Sequence, residues 1–484
     1  MSLKKKALIG VFWSAIETFS NQIIGFVTSI VLARLLMPEE FGLIAMLTIF
    51  MGVGQTLINS GLTQSLIRTE KPDDLDFSTI FFFNLVVSIL VYILISISAP
   101  LIADFYNQPK LTDIIRIYCI VFIINAFAAV QKTKLTKVLD FKTQMIVLTP
   151  SLVISGIVGI TLAVLGYGVW SLVWSKIAQS SAASIQFWYR SKWKPTSGFS
   201  TERFRQHFNF GYKLLISNLI NSLYENIYTI IIGKFFASAQ VGFYEKANSL
   251  QMRPVNIVSG IVNKISYPLL SDIQNDDVRL KSVYKRIMQM ILFIVAPTLI
   301  FIAVLGNPIF RFIYTEKWLQ AVPYFQILCV TGIFFPLHVY NIQILKVKGR
   351  SDLHLKLGII KKIVLTIILI ISFQYGIYGL IYGAAIFSIL AFLINTHYSG
   401  KFINYSAWRQ TKDIVPIILV TLIAAGSVYL IDQWLKSEQS YDLTRILIGG
   451  LTGLITFILL SWFFKLEPLF ELKTILFREN HISN

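Results

Sequence analysis

Long apolar runs follow one another along this chain of 484 residues, each broken by a short polar or glycine-containing turn. As helices rising 1.5 Å per residue, runs of about 20 residues cross a hydrocarbon layer of ~30 Å. The pattern predicts fourteen spans: residues 9–33, 42–67, 78–100, 113–131, 143–165, 168–190, 208–233, 242–269, 287–305, 322–345, 355–374, 378–399, 414–435 and 444–464. Strands bounded by polar turns every few residues do not occur, so the expected fold class is an all-α polytopic membrane protein. Lys4, Lys5 and Lys6 open the chain as a signal peptide would. The stretch behind them runs on to Met37, too long for a cleaved leader, and reads as a retained first span.

The pattern also repeats. Residues 33–43 read A-R-L-L-M-P-E-E-F-G-L and residues 233–243 read G-K-F-F-A-S-A-Q-V-G-F, which sets Arg34 on Lys234 and Gly42 on Gly242 at an offset of 200. Upstream the same register pairs Asn21 with Asn221 and Ile30 with Ile230. A second echo, Y-G-V-W-S-L at 167–172 and Y-G-I-Y-G-L at 375–380, follows at an offset of 208. Two matches in one order indicate an internal duplication. Six spans separate the copies, an even number, so both halves enter the membrane in the same sense, with a site expected between them. The expected organisation is a six-helix lobe over 1–190, a cytoplasmic linker over 191–207 and a parallel six-helix lobe over 208–400. Two further helices and a polar cytoplasmic tail occupy 401–484.

Composition agrees: hydrophobic residues make up 55% and charged ones 14%. The net charge, 43 − 25 = +18, would suggest nucleic acid in a soluble protein. Here it collects in alternate loops, such as Lys132, Lys134, Lys137 and Lys142, then Arg190, Lys192, Lys194, Arg203 and Arg205. The intervening loops hold little beyond Arg34, Lys110, Lys234, Arg311, Lys317 and Lys436. By the positive-inside rule both termini are cytoplasmic, and no nucleic-acid partner is called for. Cys119 and Cys329 lie inside apolar runs and suggest neither a disulfide framework nor a metal cluster.

Polar residues inside hydrocarbon are costly, so their positions carry information. Span 1 gathers Ser14, Glu17, Asn21 and Thr28 on one face, and span 2 gathers Thr48, Gln55, Asn59 and Thr63. Span 7 carries Asn221 and Glu225; span 8 carries Lys246, Arg253, Asn256 and Lys264. Lys176 adds a charge in span 6. Such stripes line a polar cavity or glue helices together, and both readings stand for the neutral residues. Glu17, Glu225 and Arg253 lie well inside their spans, where an ionised group costs about 2.5–3.5 kcal/mol on insertion scales. They need water, a partner or a ligand, and a buried carboxylate is also the natural group to couple transport to a cation. Lys246 and Lys264 lie nearer the ends, where snorkelling is the alternative. At 100° per residue Lys246, Arg253 and Lys264 stack along one helix edge over roughly 27 Å, a ladder suited to an anion crossing the membrane. Permanent pairing of Arg253 with Glu225 or Glu17 is the competing role.

No phosphate-binding G-x-x-x-x-G-K-[ST], zinc motif or G-x-S-x-G elbow occurs, so no cofactor and no enzyme activity are expected. Asp73, Asp74 and Asp76 form an acidic turn that could hold Mg²⁺, but it reads better as the polar start of a helix. The opening G-V-F-W-S-A-I-E-T-F-S-N-Q-I-I-G-F-V-T-S-I-V-L-A-R-L-L-M-P-E-E-F-G-L, with I-I-I-G-K-F-F-A-S-A-Q-V-G-F-Y-E-K-A-N-S-L downstream, resembles the bacterial polysaccharide transporters of the Wzx type. These belong to the multidrug/oligosaccharidyl-lipid/polysaccharide exporter superfamily. The resemblance covers nearly the whole chain and is nearest to exporters of exopolysaccharide, colanic acid or teichuronic acid. It implies fourteen helices in two six-helix lobes plus two, and location in the bacterial inner membrane. It implies as substrate an undecaprenyl-diphosphate-linked oligosaccharide, flipped to the periplasmic leaflet, with membrane lipids, a polysaccharide polymerase and a chain-length regulator as partners. A drug/cation antiporter of the same fold would favour an acidic cavity, and a membrane glycosyltransferase or polymerase would need a large loop domain. In a background lacking both native cysteines, Ser197→Cys in the linker is expected to react only with reagents that reach the cytoplasm. Labelling by a membrane-impermeant reagent in intact cells would reverse the topology.

Overall fold

The structure is a computed structural model that describes residues 3–59, 61–196 and 198–477; Ser197, the labelling position in the linker, lies outside the described residues. Among the described residues every element is helical, and ten helical segments are long and apolar enough to cross a membrane. The chain divides into two compact units, Met1–Gly242 and Phe243–Asn484.

The first unit holds α1 (Leu3–Leu35), α2 (Pro38–Asn59), α3 (Leu62–Arg68), α4 (Asp74–Tyr106), α5 (Leu111–Tyr118), α6 (Ile120–Lys137), α7 (Phe141–Val164) and α8 (Val169–Ser191). It continues through α9 (Thr201–Glu225) and α10 (Ile227–Phe235) to the first turn of α11 (Ser238–Asp272). α7 packs against α1 and α8 through small and polar residues. Ser155 and Ser175 share a hydrogen bond of 2.9 Å, and Gln186 Nε2 donates to Ser151 Oγ at 2.9 Å. In an apolar surround such bonds supply part of the association that hydrophobic burial cannot. The seventh expected span, α9 with α10, packs within this unit on α2 and α4, and α9 also on α3.

The second unit holds the rest of α11, then α12 (Asp277–Val304), α13 (Gly306–Tyr314), a 3₁₀ turn (Glu316–Ala321), α14 (Val322–Val347) and α15 (Ser351–Phe373). It ends with α16 (Gly376–Lys401), α17 (Ala407–Ser437), α18 (Asp442–Phe463) and α19 (Glu467–Phe477). The Tyr284 and Tyr340 rings stack 4.7 Å apart at 14°, and the Tyr284 hydroxyl donates to Asn341. α17 and α18 are stapled by Arg445, which donates to both Asp432 oxygens at 2.9 Å. Both side chains are more than nine-tenths buried, so the bidentate geometry offsets their desolvation.

Each expected span falls on a helix or a pair of short helices. Those outside the ten apolar segments are α8, α9 with α10, α11 and α15, the first three being the spans expected to carry Lys176, Glu225 and Arg253. The duplication is equally visible. α1 ends at Leu35 and α2 begins at Pro38, while α10 ends at Phe235 and α11 begins at Ser238, again 200 residues on.

The two related turns meet inside the first unit. A Cβ on Gly42 would strike the Ser238 carbonyl oxygen and lie 3.2 Å from the Gly242 nitrogen. A Cβ on Gly242 would strike the Pro38 carbonyl oxygen and lie 3.3 Å from the Gly42 nitrogen. The contact is reciprocal and backbone to backbone, so no side-chain rotation relieves a larger residue. Gly42→Val and Gly242→Val are each expected to lose about 1–3 kcal/mol, read as earlier thermal aggregation of the detergent-solubilised protein. An unchanged melting profile for either variant would show that the turns are not packed this closely.

Candidate functional site

Each unit contributes its own set of polar groups at membrane depth. In the first, α1 presents Glu17 and Asn21, both half-buried, and Thr149 Oγ1 donates to Asn21 Oδ1 at 3.3 Å. On α2, Gln55 Nε2 donates to Asn59 Oδ1 at 3.3 Å, the i to i+4 spacing that puts two side chains one above the other. These two amides line a cavity of about 470 Å³ whose other walls come from α3, α6, α7 and α8. Asn125, Lys132 and Thr133 of α6 and Ser180 of α8 complete its polar lining, beside Ala128, Ala129 and Leu148. Among the described residues no carboxylate lines it. Lys132 interacts electrostatically with Glu17. Lys176 is half-buried and bonds within its own helix, to Gln179 Oε1 at 3.1 Å. Asn221 and Glu225 on α9 are exposed; at this depth exposure to lipid is costly, so they suit a wet surface.

In the second unit the charges follow α11. Lys246 is 7% exposed, its ammonium 5.6 Å from the Tyr314 ring centre and 5.7 Å from that of Trp318. Aromatic faces attract a desolvated cation by about 2 kcal/mol, which helps to hold Lys246 in place. Arg253 is half-buried and followed by Pro254 inside the helix, while Asn256 and Lys264 are exposed. The expected edge of cations is therefore graded: a boxed lysine, a half-buried arginine and an open lysine.

The acidic turn is a helix start. Asp73 caps α4 by accepting from the Asp76 amide at 2.8 Å, and the Asp73 amide donates back to Asp76 Oδ2 at 3.0 Å. The bond from the Asp76 amide, helped by Arg203, holds the Asp73 carboxyl below the usual carboxylate range. Arg203 reaches both Asp73, at 3.3 Å, and Asp76. Asp74 accepts from Trp193 Nε1 at 3.1 Å and pairs with Lys134 at 3.4 Å. Asp76, 1% exposed, meets His207 Nε2 at 3.4 Å and Arg203 at 3.5 Å. The other His207 ring nitrogen lies 2.8 Å from Ser65 Oγ. Further bonds from the Thr196 and Ser200 amides to Ser78 and Thr79 tie both flanks of this connection to the start of α4. The turn is thus a clamp on the chain that leads into α9.

Sequence reasoning found Gln55 and Asn59 but missed Asn125, Lys132 and the clamp residue His207. Asn125 is a lone amide in an apolar run, a usable signal; Lys132 was read only as loop charge. Among the described residues no group of three His, Cys, Asp or Glu is arranged to hold a metal. Breaking the clamp with Asp76→Ala leaves His207 and Arg203 facing a lost charge and should cost about 3 kcal/mol. The Asp76→Leu/His207→Leu pair should recover much of that loss in thermal melts. Equal loss in both variants would mean that packing, not the polar pair, matters there.

Residues 31–323 match the family described as polysaccharide biosynthesis protein. The chain is 27% identical over 355 residues to the teichuronic acid biosynthesis protein TuaB of Bacillus subtilis (strain 168), covering 73% of each chain. It is 24% identical over 417 residues to the lipopolysaccharide biosynthesis protein WzxC of Escherichia coli (strain K12), covering 85% of this chain and 84% of that one. In fold it is similar to the lipid II flippase MurJ in an inward closed conformation, with a TM-score of 0.76 at 16% identity. That match spans 94% of this chain and 98% of the other.

Proposed function

We propose that this chain, which belongs to the polysaccharide biosynthesis protein family, flips undecaprenyl-diphosphate-linked oligosaccharide repeat units across the bacterial cytoplasmic membrane by alternating access. The fold is that of a multi-pass helical transporter. The single observation that carries the substrate is the charge on α11. Arg253 lies near the middle of a helix of 35 residues, and Lys264 is exposed further along it. A diphosphate entering hydrocarbon needs compensating charge along its route, and cations spaced over roughly 16 Å supply it in steps. A guanidinium offers phosphate oxygens two parallel donors, which a lysine cannot. Lys246 joins this route only if the Tyr314 and Trp318 rings move aside. Lys176, Asn221, Glu225 and Asn256 are polar companions in the same proposal, with Glu17 and Glu225 as the groups to couple a cation.

The substrate belongs to surface-polysaccharide assembly, as the relatives' names indicate for those proteins, and both termini are cytoplasmic in this reading. Arg253→Ala is expected to accumulate lipid-linked saccharide on the cytoplasmic side while protein levels stay normal. Arg253→Lys keeps the charge but loses the fork, and should cut export about tenfold, the worth of one charge-assisted bond. Wild-type export by well-inserted Arg253→Ala protein would sink the proposal.

A further inference from the structure

Independently of that reading, we propose that the connection between α16 and α17 forms a binding site for the headgroup of an anionic phospholipid that carries no amine, such as phosphatidylglycerol. A recess of about 550 Å³ opens there, its walls including Lys401, Asn404, Tyr405, Ser406 and Arg409. That volume lies within the ~300–1,000 Å³ of small-molecule sites. α16 has 26 residues and α17 has 31, more than the about 20 that cross hydrocarbon, so the residues joining them lie at headgroup depth. Trp408 at the start of α17 is 77% exposed, and an indole ring suits that interface.

The connection is held in shape before any lipid arrives. The Tyr405 amide donates to the Gly400 carbonyl at 3.0 Å, and Gln410 Nε2 donates to the Tyr405 carbonyl at 2.8 Å. A Cβ on Gly400 would strike the Tyr405 carbonyl oxygen, and Asn404 sits at φ 49°, in the left-handed region. A recess fixed in this way loses little freedom on binding.

Charge names the ligand. Among the described residues no Asp or Glu lines the recess, and neither Lys401 nor Arg409 pairs with a carboxylate. Lys401 Nζ lies 5.7 Å from the Tyr398 ring centre. Lys281 of α12 adds a third cation, 5.8 Å from the ring centre of Tyr405. Asp413, one helical turn beyond Arg409, is already engaged: it accepts from the Tyr405 hydroxyl and meets Lys285 at 3.5 Å. Neighbouring cations are answered, Lys285 and Arg286 by Glu467 and Glu471 of α19, and Arg350 by Asp352. A lipid phosphate takes the Lys401 ammonium and the Arg409 guanidinium, whose fork suits two oxygens. Ser406 Oγ accepts from the Arg409 amide at 3.4 Å, which leaves its hydroxyl hydrogen, with the Asn404 carboxamide, for glycerol oxygens. An ethanolamine headgroup would set its ammonium among cations with no carboxylate to receive it.

The full-length protein is released from nanodiscs holding equal phosphatidylglycerol and phosphatidylethanolamine, and retained lipid is counted by native mass spectrometry. Wild-type protein is expected to retain phosphatidylglycerol preferentially. Lys401→Met/Arg409→Met should weaken phosphatidylglycerol about twentyfold, roughly fivefold for each basic residue, and leave phosphatidylethanolamine unchanged. The exchange Lys401→Arg/Arg409→Lys should keep most of the preference. Arg286→Met, which removes a neighbouring cation already paired with Glu471, should keep all of it. No preference in wild type, no change in the Met pair, or an equal loss in Arg286→Met overturns the site. Millimolar inorganic phosphate should leave the lipid bound; displacement would mean that the recess takes phosphate as a free ion, and would overturn the lipid assignment. None of these outcomes bears on cargo export, which the Arg253 variants test separately.

Discussion

A charge or an unpaired amide placed among lipid chains must be met by protein, water or ligand, and this one cost organises the molecule. It explains why α8, α9 with α10, α11 and α15 stand apart from the ten more apolar segments. Their polar residues lower helix hydropathy, which the chain tolerates only where something answers them. Some neutral ones are answered by neighbours, as when Ser175 of α8 bonds to Ser155 of α7. The charged ones take two routes: Lys246 is enclosed by rings, whereas Glu225 and Lys264 stay exposed.

The same cost is handled differently outside the spans. Asp76 is buried, yet His207, Arg203 and its own helix start surround it. The clamp uses three carboxylates to hold Trp193, Arg203 and His207 against the start of α4. That placement accounts for α9 packing with the first unit, although the sequence repeat makes α9 the opening of the second copy. Covalent order and spatial grouping part company at this point. The chain leaves α8, is fastened at the start of α4 and only then turns into α9.

Much of the fold was legible because spans and duplication are written along the chain. An apolar run of fixed length has one helical outcome, and the register linking Gly42 to Gly242 survives as two helix breaks 200 residues apart. Helix geometry likewise placed Lys246, Arg253 and Lys264 on one edge. What it could not supply is the neighbour. Tyr314 and Trp318, which enclose Lys246, arrive from the far side of α12 in the chain. The cavity depends on side chains from five helices, so Asn125 gained meaning only beside Gln55 and Asn59. The acidic turn, expected from the sequence to be the polar start of a helix, is one, and its lateral partners Trp193, Arg203 and His207 are what the sequence could not supply.

The duplicated scaffold ends with unlike chemistry in its two copies, and energetics explains the asymmetry. A neutral amide at membrane depth costs far less than a charge, so neutral polar groups can be spread over several helices, as in the first-unit cavity. Charge for a diphosphate cannot be spread so cheaply, because every unanswered cation carries its own desolvation penalty. Placing cations along a single helix, as α11 places Arg253 and Lys264, limits that penalty to one element. Among the described residues the first-unit cavity is lined mainly by amides, hydroxyls and apolar groups, with Lys132 as its cation. A mostly neutral polar lining in one unit and a helix of cations in the other is the contrast that a saccharide joined to lipid by a strongly anionic link, the proposed cargo, would call for.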